Sequence, residues 1–242
     1  MINIVIPMAG RGSRFRSAGY VKPKPLIPII NKPMINWALE SISGLLNCQL
    51  IFVVLESDLN LELNEILKQK GTIITLEQIT DGAVSSTLKA SSLINNENPL
   101  IIVNCDQYID WNINKFITRA KDFDGSVVVF NSNNPHHSFI LKRRGKILRV
   151  EEKIAISNLA CGGVYYYRSG KDFVTMAKKY IDRDLKTNGE FYISPIFNEY
   201  IEAGKEITFF KVKKSKIHML GTPEEVAVFE EKYERKVRNK DD

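Results

Sequence analysis

The chain has 242 residues, of which 44% are hydrophobic and 26% are charged. These fractions exclude a disordered chain and provide for a sizeable core. No apolar run reaches the roughly 18 residues that a membrane-spanning helix needs, so no membrane partner is expected. Since 34 lysines and arginines outnumber 28 acidic residues, the net charge is +6. Such an excess favours an anionic partner, either nucleic acid or a phosphorylated small molecule.

The amino terminus and the cysteines indicate a reducing compartment. Met1 to Ile4 lack the basic region and the small-residue cleavage site of a signal peptide, so we expect a cytoplasmic protein. Cys48, Cys105 and Cys161 are odd in number and form no CxxC pattern. The sequence therefore predicts buried free thiols and neither a disulfide framework nor a zinc site.

The first half of the chain alternates between strands and helices. Apolar runs at 2–7, 50–55, 72–76 and 99–104 predict strands that are buried on both faces. Helices are predicted from Pro33, from an N-cap at Ser57, and after the pair Asp81-Gly82. This alternation is typical of right-handed βαβ units and a parallel sheet covered by helices on both faces.

The second half is less regular, and it completes a single α/β domain with a mixed sheet. Shorter strands are predicted at 125–131, 138–143, 146–153, 161–168 and 206–212, with a tight turn at Arg144-Gly145. Helices are predicted at 170–184 and 194–204. A closing helix is predicted with Thr222 as its N-cap and Pro223 as its first residue, and its basic tail should be solvated.

The most informative segment is the loop after the first strand, MAGRGSRF at residues 8–15. Ligands of parallel sheets lie beyond the carboxyl ends of the strands, where this loop is placed. Gly10 and Gly12 are expected to allow positive φ, so that successive N–H groups can form an anion-binding nest. A Walker A pattern is missing, and Phe15 stands where a dinucleotide-binding loop would have its third glycine.

This loop, followed by KPKPL at residues 22–26 and a helix, resembles the signature of the sugar-phosphate nucleotidyltransferases, also called NDP-sugar pyrophosphorylases. Later segments resemble that family in the same order. They are EQITDGAVSST, LIIVNCDQY, RVEEK, CGGVYYY, NGEFYISPIFN and LGTPEE. The resemblance implies an α/β fold, a Rossmann-like three-layer sandwich with a mixed, mostly parallel central sheet. It implies one domain over 1–242, with a nucleotide-binding half at 1–110 and an acceptor-phosphate half at 111–242.

The resemblance also implies roles for individual residues. Arg14 and Lys24 would be the catalytic cations, and Lys24 is held between Pro23 and Pro25. Arg11, Lys22 and Arg16 would be auxiliary or merely exposed. The nucleotide-binding residues would be Met8, Ala9, Gly10, Arg11, Gly12, Ser13, Gln78 and Gly82. The acceptor-binding residues would be Glu152, Lys153, Gly163, Asn188 and Glu190.

A metal site is implied at Asp106, at the carboxyl end of the fourth strand. The ion would be Mg²⁺, with Mn²⁺ as an alternative, and phosphate oxygens and water would complete its shell. A turn-capping acid is the competing interpretation of Asp106. The family commonly has a second aspartate two residues before the G of G-T-P, but this chain has Met219, a poor ligand for Mg²⁺. Candidates for the missing ligand are Asp110, Glu152, Glu190 or water, while His218 would be an unusual choice.

Met219 sets the chain apart from the best-known thymidylyl- and uridylyltransferases. KPKPL, DQY and NGEFY together resemble a branch found with capsule and surface-polysaccharide functions. A pyrimidine base is favoured, by the compact turn Met8 to Gly10 and by analogy with that branch. His136 and His137 are interpreted as surface residues of a loop, although their position leaves a role over the acceptor phosphate open.

The implied reaction joins a nucleoside triphosphate to a phosphorylated small molecule and releases pyrophosphate. A sugar 1-phosphate is the first candidate acceptor. The alternative is a cytidylyltransferase that acts on phosphocholine or on a phosphorylated polyol or amino acid. A glycosyltransferase would predict a D-x-D motif, where this chain has CDQYID. A binding module without catalysis is supported only by Met219. No nucleic-acid partner is expected, and a homo-oligomer is left open.

Overall fold

The computed structural model describes residues 1–241, and it describes side chains for residues 1–235. The strands are β1 Ile2–Pro7, β2 Pro28–Ile29, β3 Lys32–Pro33, β4 Cys48–Leu55, β5 Thr72–Leu76, β6 Leu100–Val103, β7 Gln107–Ile109, β8 Gly125–Asn131, β9 Ser138–Arg143, β10 Lys146–Glu152, β11 Leu159–Tyr167, β12 Ile207–Lys211 and β13 Ile217–Met219. The helices are α1 Ser13–Ser17, α2 Met34–Glu40, α3 Leu61–Lys68, α4 Ala83–Leu88, α5 Ser91–Ile94, α6 Ile113–Ala120, α7 Gly170–Asp182, α8 Ile196–Glu202 and α9 Pro223–Asp241.

Within residues 1–241, a nine-stranded sheet has the order β5-β4-β1-β6-β11-β8-β12-β10-β9. Strands β5, β4, β1 and β6 are parallel, as the alternation of the first half predicts. Strand β11 runs antiparallel between β6 and β8, and β10 runs antiparallel between β12 and β9. The remaining strands share one direction, so the mixed, mostly parallel sheet is confirmed.

The apolar strands bury both faces of this sheet. Along β1, the side chain of Val5 packs into one core cluster, while Ile4 and Ile6 pack into the other. Helices α4, α5, α7 and α8 cover the first cluster, and α2, α3 and α6 cover the second. This arrangement is the predicted three-layer sandwich. Each fully buried valine or isoleucine side chain contributes about 1.5–3 kcal/mol to the free energy of folding.

Two helix starts differ from the sequence prediction. Ser57 is not an N-cap, because Glu56 to Asp58 form a single 3₁₀ turn and α3 begins after Asn60. The Asn60 side chain accepts a hydrogen bond of 2.9 Å from the Leu63 amide, and asparagine is among the strongest N-cap residues. Helix α2 begins at Met34, with Pro33 as its cap residue.

The sequence pattern missed a short strand pair that is important for the site. Strand β13 pairs antiparallel with β7, which sets Met219 opposite Gln107, the residue after Asp106. Strands of three residues are too short for a periodic signal. Helix α9 follows Thr222, whose hydroxyl accepts a hydrogen bond of 3.2 Å from the Glu225 amide, as predicted. Asp242, the last residue of the predicted basic tail, lies outside the described residues.

No helix within the described residues has the length and hydropathy of a membrane-spanning segment. The three cysteines are free, as predicted. Cys105 and Cys161 are buried, whereas Cys48 is only partly buried.

Candidate active site

A large cleft opens at the carboxyl ends of β1 and β6. Its volume is about 1190 Å³, and its walls combine the loop after β1 with segments from the second half of the chain. Most of the residues that the sequence singles out line it. They are Met8, Ala9, Gly10, Arg11, Gly12, Ser13, Arg14, Lys24, Gly82, Asp106, Glu152, Lys153, Gly163, Asn188 and Glu190.

Gln78 is the exception among the predicted site residues. Its side chain is exposed, and it is not among the residues that line the cleft. Thr80 and Ser86 line the wall in its place, and their hydroxyl oxygens lie 2.7 Å apart. The segment that follows β5 reaches the cleft only from Ile79 onward, so the assignment of Gln78 as a base contact is not supported by its position.

The two glycines of the opening loop differ in conformation. Gly12 has φ of +58°, in the left-handed region, and an added Cβ would lie 3.3 Å from the Cβ of Lys24. Gly10 has no positive φ and no neighbour within 4 Å of an added Cβ. The expectation of positive φ is therefore right for Gly12 and wrong for Gly10. Gly12 is required where the loop passes Lys24.

The basic residues of the opening segment divide into two groups. Arg11, Arg14 and Lys24 line the cleft. Lys22 instead pairs with Glu62 at 2.9 Å, and Arg16 lies 3.6 Å from Asp58. The structure therefore separates Arg14 and Lys24 from Lys22 and Arg16, as the sequence analysis expected, and it places Arg11 with the first group.

Lys24 and Asp106 form an ion pair inside the cleft, with 2.5 Å between Nζ and Oδ2. Burial by itself would lower the pKa of Lys24, but the Asp106 carboxylate outweighs it and leaves that pKa above its usual value. Burial would likewise raise the pKa of Asp106, yet the charge and hydrogen bond of Lys24 lower it overall. Both groups are therefore charged at neutral pH.

Glu152 also lines the cleft, and only 6% of it is exposed. The hydroxyl groups of Ser138 and Ser194 both donate to its Oε2 atom, the second at 3.1 Å. Burial raises the pKa of Glu152 in spite of these hydrogen bonds. A carboxylate held in this way suits the hydroxyl groups of a ligand. The two serines were not singled out in the sequence, because they come from distant segments.

Lys153 is paired with a residue that the sequence analysis overlooked, Tyr192. The ammonium group of Lys153 donates to the Tyr192 hydroxyl at 2.5 Å and lies 4.5 Å from the ring centroid. Burial, with the nearby Glu190 carboxylate, raises the pKa of Tyr192 above its ordinary value, so the phenol is protonated at neutral pH. Its position two residues after Glu190, in the segment NGEFYISP, was the available signal.

The position of Asn188 follows from a tight turn. Asn188 and Gly189 both have positive φ, and the amides and carbonyls of Thr187 and Glu190 exchange hydrogen bonds across them. An Asn-Gly pair is the strongest short signal for such a turn. The turn places Asn188 and Glu190 on the exposed rim of the cleft.

The sequence profile of the nucleotidyl transferase family matches residues 4–234. The chain belongs to this family. A protein of Sulfolobus acidocaldarius that carries the name of a mannose-1-phosphate guanyltransferase is 22% identical over 175 residues. The match covers 69% of this chain and 49% of that protein, so the chain spans about half the length of this relative.

Two solved structures of similar proteins share the fold. The nucleoside-diphosphate-sugar pyrophosphorylase of Vibrio cholerae RC9 has a TM-score of 0.84 at 24% identity, over 94% of this chain and 99% of its own. A UDP-glucose pyrophosphorylase in complex with UDP-glucose has a TM-score of 0.75 at 21% identity, over 98% and 100% of the two chains. At these identities the likeness concerns the fold.

Met219, at the position where the resemblance implies a second aspartate, lines the cleft. Two of the alternatives considered from the sequence lie outside the lining. Asp110 accepts a hydrogen bond of 2.6 Å from Lys216, and the His218 ring stacks on Tyr108 with 5.9 Å between centroids. Neither is directed into the cleft as a metal ligand would be.

His136 and His137 are not simply surface residues, because both line the cleft. Burial, with the positive charges of Lys214 and His136, lowers the pKa of His137 to about 4. His137 is therefore neutral at physiological pH.

Cys105 also lines the cleft, and burial raises the pKa of its thiol to about 12, so it is not a nucleophile at neutral pH.

Proposed function

We propose that this chain is a nucleotidyltransferase that condenses a nucleoside triphosphate with a sugar 1-phosphate. The products are a nucleotide sugar and pyrophosphate. The observation that carries the proposal is the convergence of two groups of residues on one cleft. Gly12, Arg14 and Lys24 line one part of it, and Glu152 and Lys153 line another. Membership of the family and the names of the similar proteins support the same reaction class.

The reaction needs two anions side by side and a stabilised leaving group. An oxygen of the sugar phosphate bonds to the α-phosphorus as the bond from that phosphorus to the oxygen bridging to the β-phosphorus breaks. Pyrophosphate leaves with the electron pair. Positioning and charge stabilisation do this work, without a side-chain nucleophile.

Named side chains can supply each of these effects. Arg14 and Lys24 stabilise charge on the triphosphate and on the departing pyrophosphate. Lys153 attracts the phosphate of the acceptor, and the Tyr192 hydroxyl orients its ammonium group. Glu152, fixed by two serines, accepts hydrogen bonds from acceptor hydroxyl groups.

Asp106 is the residue that we propose to hold Mg²⁺, with Mn²⁺ as a substitute. Its fit is supported by the cation that it already holds, since the Lys24 ammonium lies 2.5 Å from its carboxylate inside the cleft. A carboxylate beside a phosphate-binding loop is the kind of oxygen donor that this ion takes. When bound, the ion would neutralise charge on phosphate oxygens.

The base and the biological role are finer parts of the proposal. We favour a pyrimidine nucleotide, on the buried, compact turn Met8-Ala9 and the resemblance of KPKPL, DQY and NGEFY to the capsule-associated branch. The names of the similar proteins include both guanosine and uridine nucleotides, so the choice of base needs a direct test. Surface-polysaccharide synthesis would be the pathway that consumes the product.

A substrate panel tests the proposal. The chain would be incubated with each of the common NTPs and dTTP, with Mg²⁺ and a set of phosphate esters, and pyrophosphate release would be measured. We expect release with a pyrimidine nucleotide and a sugar 1-phosphate. Release only with CTP and phosphocholine or a phosphorylated polyol would favour the cytidylyltransferase alternative. No release with any pair would contradict both.

A further inference from the structure

We propose that Glu225 is the second carboxylate of the metal site, in the place that Met219 cannot fill. The inference rests on the proposed function, because it assumes a divalent ion at Asp106. A thioether is a poor donor to Mg²⁺, whereas a carboxylate is one of its usual ligands. Glu225 was not considered as a ligand from the sequence, where LGTPEE was one of the segments that resemble the family and marked the start of the closing helix.

The geometry around Gly221 brings the two carboxylates together. A Cβ added at Gly221 would lie 3.1 Å from Oδ2 of Asp106 and 3.4 Å from Oε2 of Glu225. Both oxygens therefore border one point, and the two distances set an upper limit of 6.5 Å on their separation. Two oxygens bound to one Mg²⁺ at about 2.0–2.1 Å lie at most about 4.2 Å apart, so a side-chain movement of about 2.3 Å or less brings both onto the ion.

The chain fastens both carboxylates to the same short segment. The Gly221 amide donates to Oε2 of Glu225 at 2.9 Å, and the Leu220 amide donates to the backbone carbonyl of Asp106 at 2.8 Å. The residue between the two acids is a glycine, so no side chain fills the space that they border. These two hydrogen bonds fix the position of the Glu225 side chain relative to Asp106.

Cations already occupy the surroundings of these two acids. Lys24 binds Asp106 directly, and Arg14 interacts electrostatically with both Asp106 and Glu225. The other acids of the cleft are placed differently. Ser138 and Ser194 hold Glu152, and Asp81 pairs with Lys186 at 3.0 Å, while Glu190 and Glu224 are exposed. Helix capping accounts for the hydrogen bond between Gly221 and Glu225, but it does not explain an acid turned toward the cleft.

Titration with Mn²⁺ alone, followed by the EPR signal of the free ion, tests this assignment on the full chain. We expect Glu225→Gln to weaken Mn²⁺ binding at least about tenfold, the scale on which even outer-shell partners act. The glutamine oxygen can still accept from the Gly221 amide, so the helix start should persist. Glu224→Gln is the matched control, since it removes the same charge from the adjacent, exposed residue of the cleft wall and should change the affinity less than about twofold.

Further variants distinguish the role of Glu225 from the proposed metal site at Asp106. Met219→Asp in the Glu225→Gln background should restore Mn²⁺ affinity. If Glu225→Gln binds Mn²⁺ like the parent while Asp106→Asn does not, the role of Glu225 is overturned and the site at Asp106 stands. If Asp106→Asn also binds normally, the proposed metal site itself is wrong. Glu225→Asp, which keeps the charge but withdraws the oxygen, should also weaken binding and serves if the glutamine variant does not fold.

Discussion

The Nζ atom of Lys24 lies 2.5 Å from Oδ2 of Asp106, although 82 positions separate the two residues. Their side chains are 22% and 21% exposed, so the pair is well shielded inside the cleft. The KPKPL segment at residues 22–26 and the segment after β6 thus meet through two opposite charges. A substitution of either residue leaves the other without its partner, so its effect on folding must be measured beside its effect on turnover.

Lys24→Ala should lower kcat/KM at least about 100-fold, the usual loss when one stabilising donor is removed from a transition state. Lys22→Ala is the matched control, because Lys22 lies two residues away but pairs with Glu62 outside the cleft. We expect the control to keep the parent rate. Equal rates for the two variants in a pyrophosphate-release assay would remove Lys24 from the mechanism.

Tyr192→Phe should raise KM for the acceptor phosphate about tenfold, which corresponds to losing a hydrogen bond to a charged group worth about 1.5 kcal/mol. The ring would still contact Lys153, so kcat should change less than KM. Tyr200→Phe is a suitable control, since its buried hydroxyl has no hydrogen-bond partner among the described residues. A fall in kcat at unchanged KM would contradict a positioning role for Tyr192.

His137 should make folding sensitive to mild acid. The unfolded chain takes up a proton near the ordinary histidine pKa of 6.5, but the folded chain does so only near about 4. Between these values the unfolded state binds more protons, so the free energy of unfolding falls as the pH is lowered through the window. Above about pH 6.5, His137 is neutral in both states and no longer lowers the free energy of unfolding.

His137→Gln should therefore flatten this part of the pH dependence, measured by urea unfolding at about pH 7.5 and about pH 5. The control is His136→Gln, at the exposed neighbouring position. The explanation fails if the two variants lose stability equally between these pH values.

Gly82, at the start of α4, packs against the backbone of Phe191 in the NGEFYISP segment. It has φ of +115°, and an added Cβ would lie 2.6 Å from both the backbone N and the backbone O of Phe191. Gly145 has φ of +82° but open space around an added Cβ. Gly82→Ala and Gly145→Ala both place a side chain at a positive φ. Gly82, with ψ of −178°, lies in a region that is essentially restricted to glycine, and there alone the new Cβ also collides with backbone.

Gly82→Ala should therefore be at least about 1 kcal/mol less stable than Gly145→Ala, on the scale of overpacking a rigid contact. Chemical denaturation of the two variants measures the difference directly. Equal free energies of unfolding would show that the loop around residue 82 shifts without cost.

Much of the fold could be predicted because its strands are apolar on both faces. Runs such as Ile2–Pro7 and Thr72–Leu76 are readable as strands, and β1 and β5 have these same bounds. The prediction of burial on both faces is right for β1 but wrong for β5, because β5 is an edge strand in which only Leu76 is buried. Helix starts were harder, since several polar residues compete as N-caps, and Asn60 took the place expected for Ser57. The pairing of β7 with β13 could not be predicted, because each strand has only three residues.

The site could be predicted where a local motif carried it. The residues of MAGRGSRF line the cleft, with the exception of Phe15, which is buried in a core cluster beneath α9. Contacts between residues that are distant in the sequence could not be predicted from it. The two serines that hold Glu152 lie 14 and 42 positions from it, and no spacing rule relates them.

The most direct test of the account is ³¹P NMR of the full chain with an NTP, Mg²⁺ and a sugar 1-phosphate from the substrate panel. The account predicts that the sugar phosphate signal disappears while a nucleotide-sugar diphosphate and pyrophosphate appear in equal amounts. Release of inorganic phosphate or free sugar without a nucleotide sugar, or an unchanged spectrum with every pair, would contradict it.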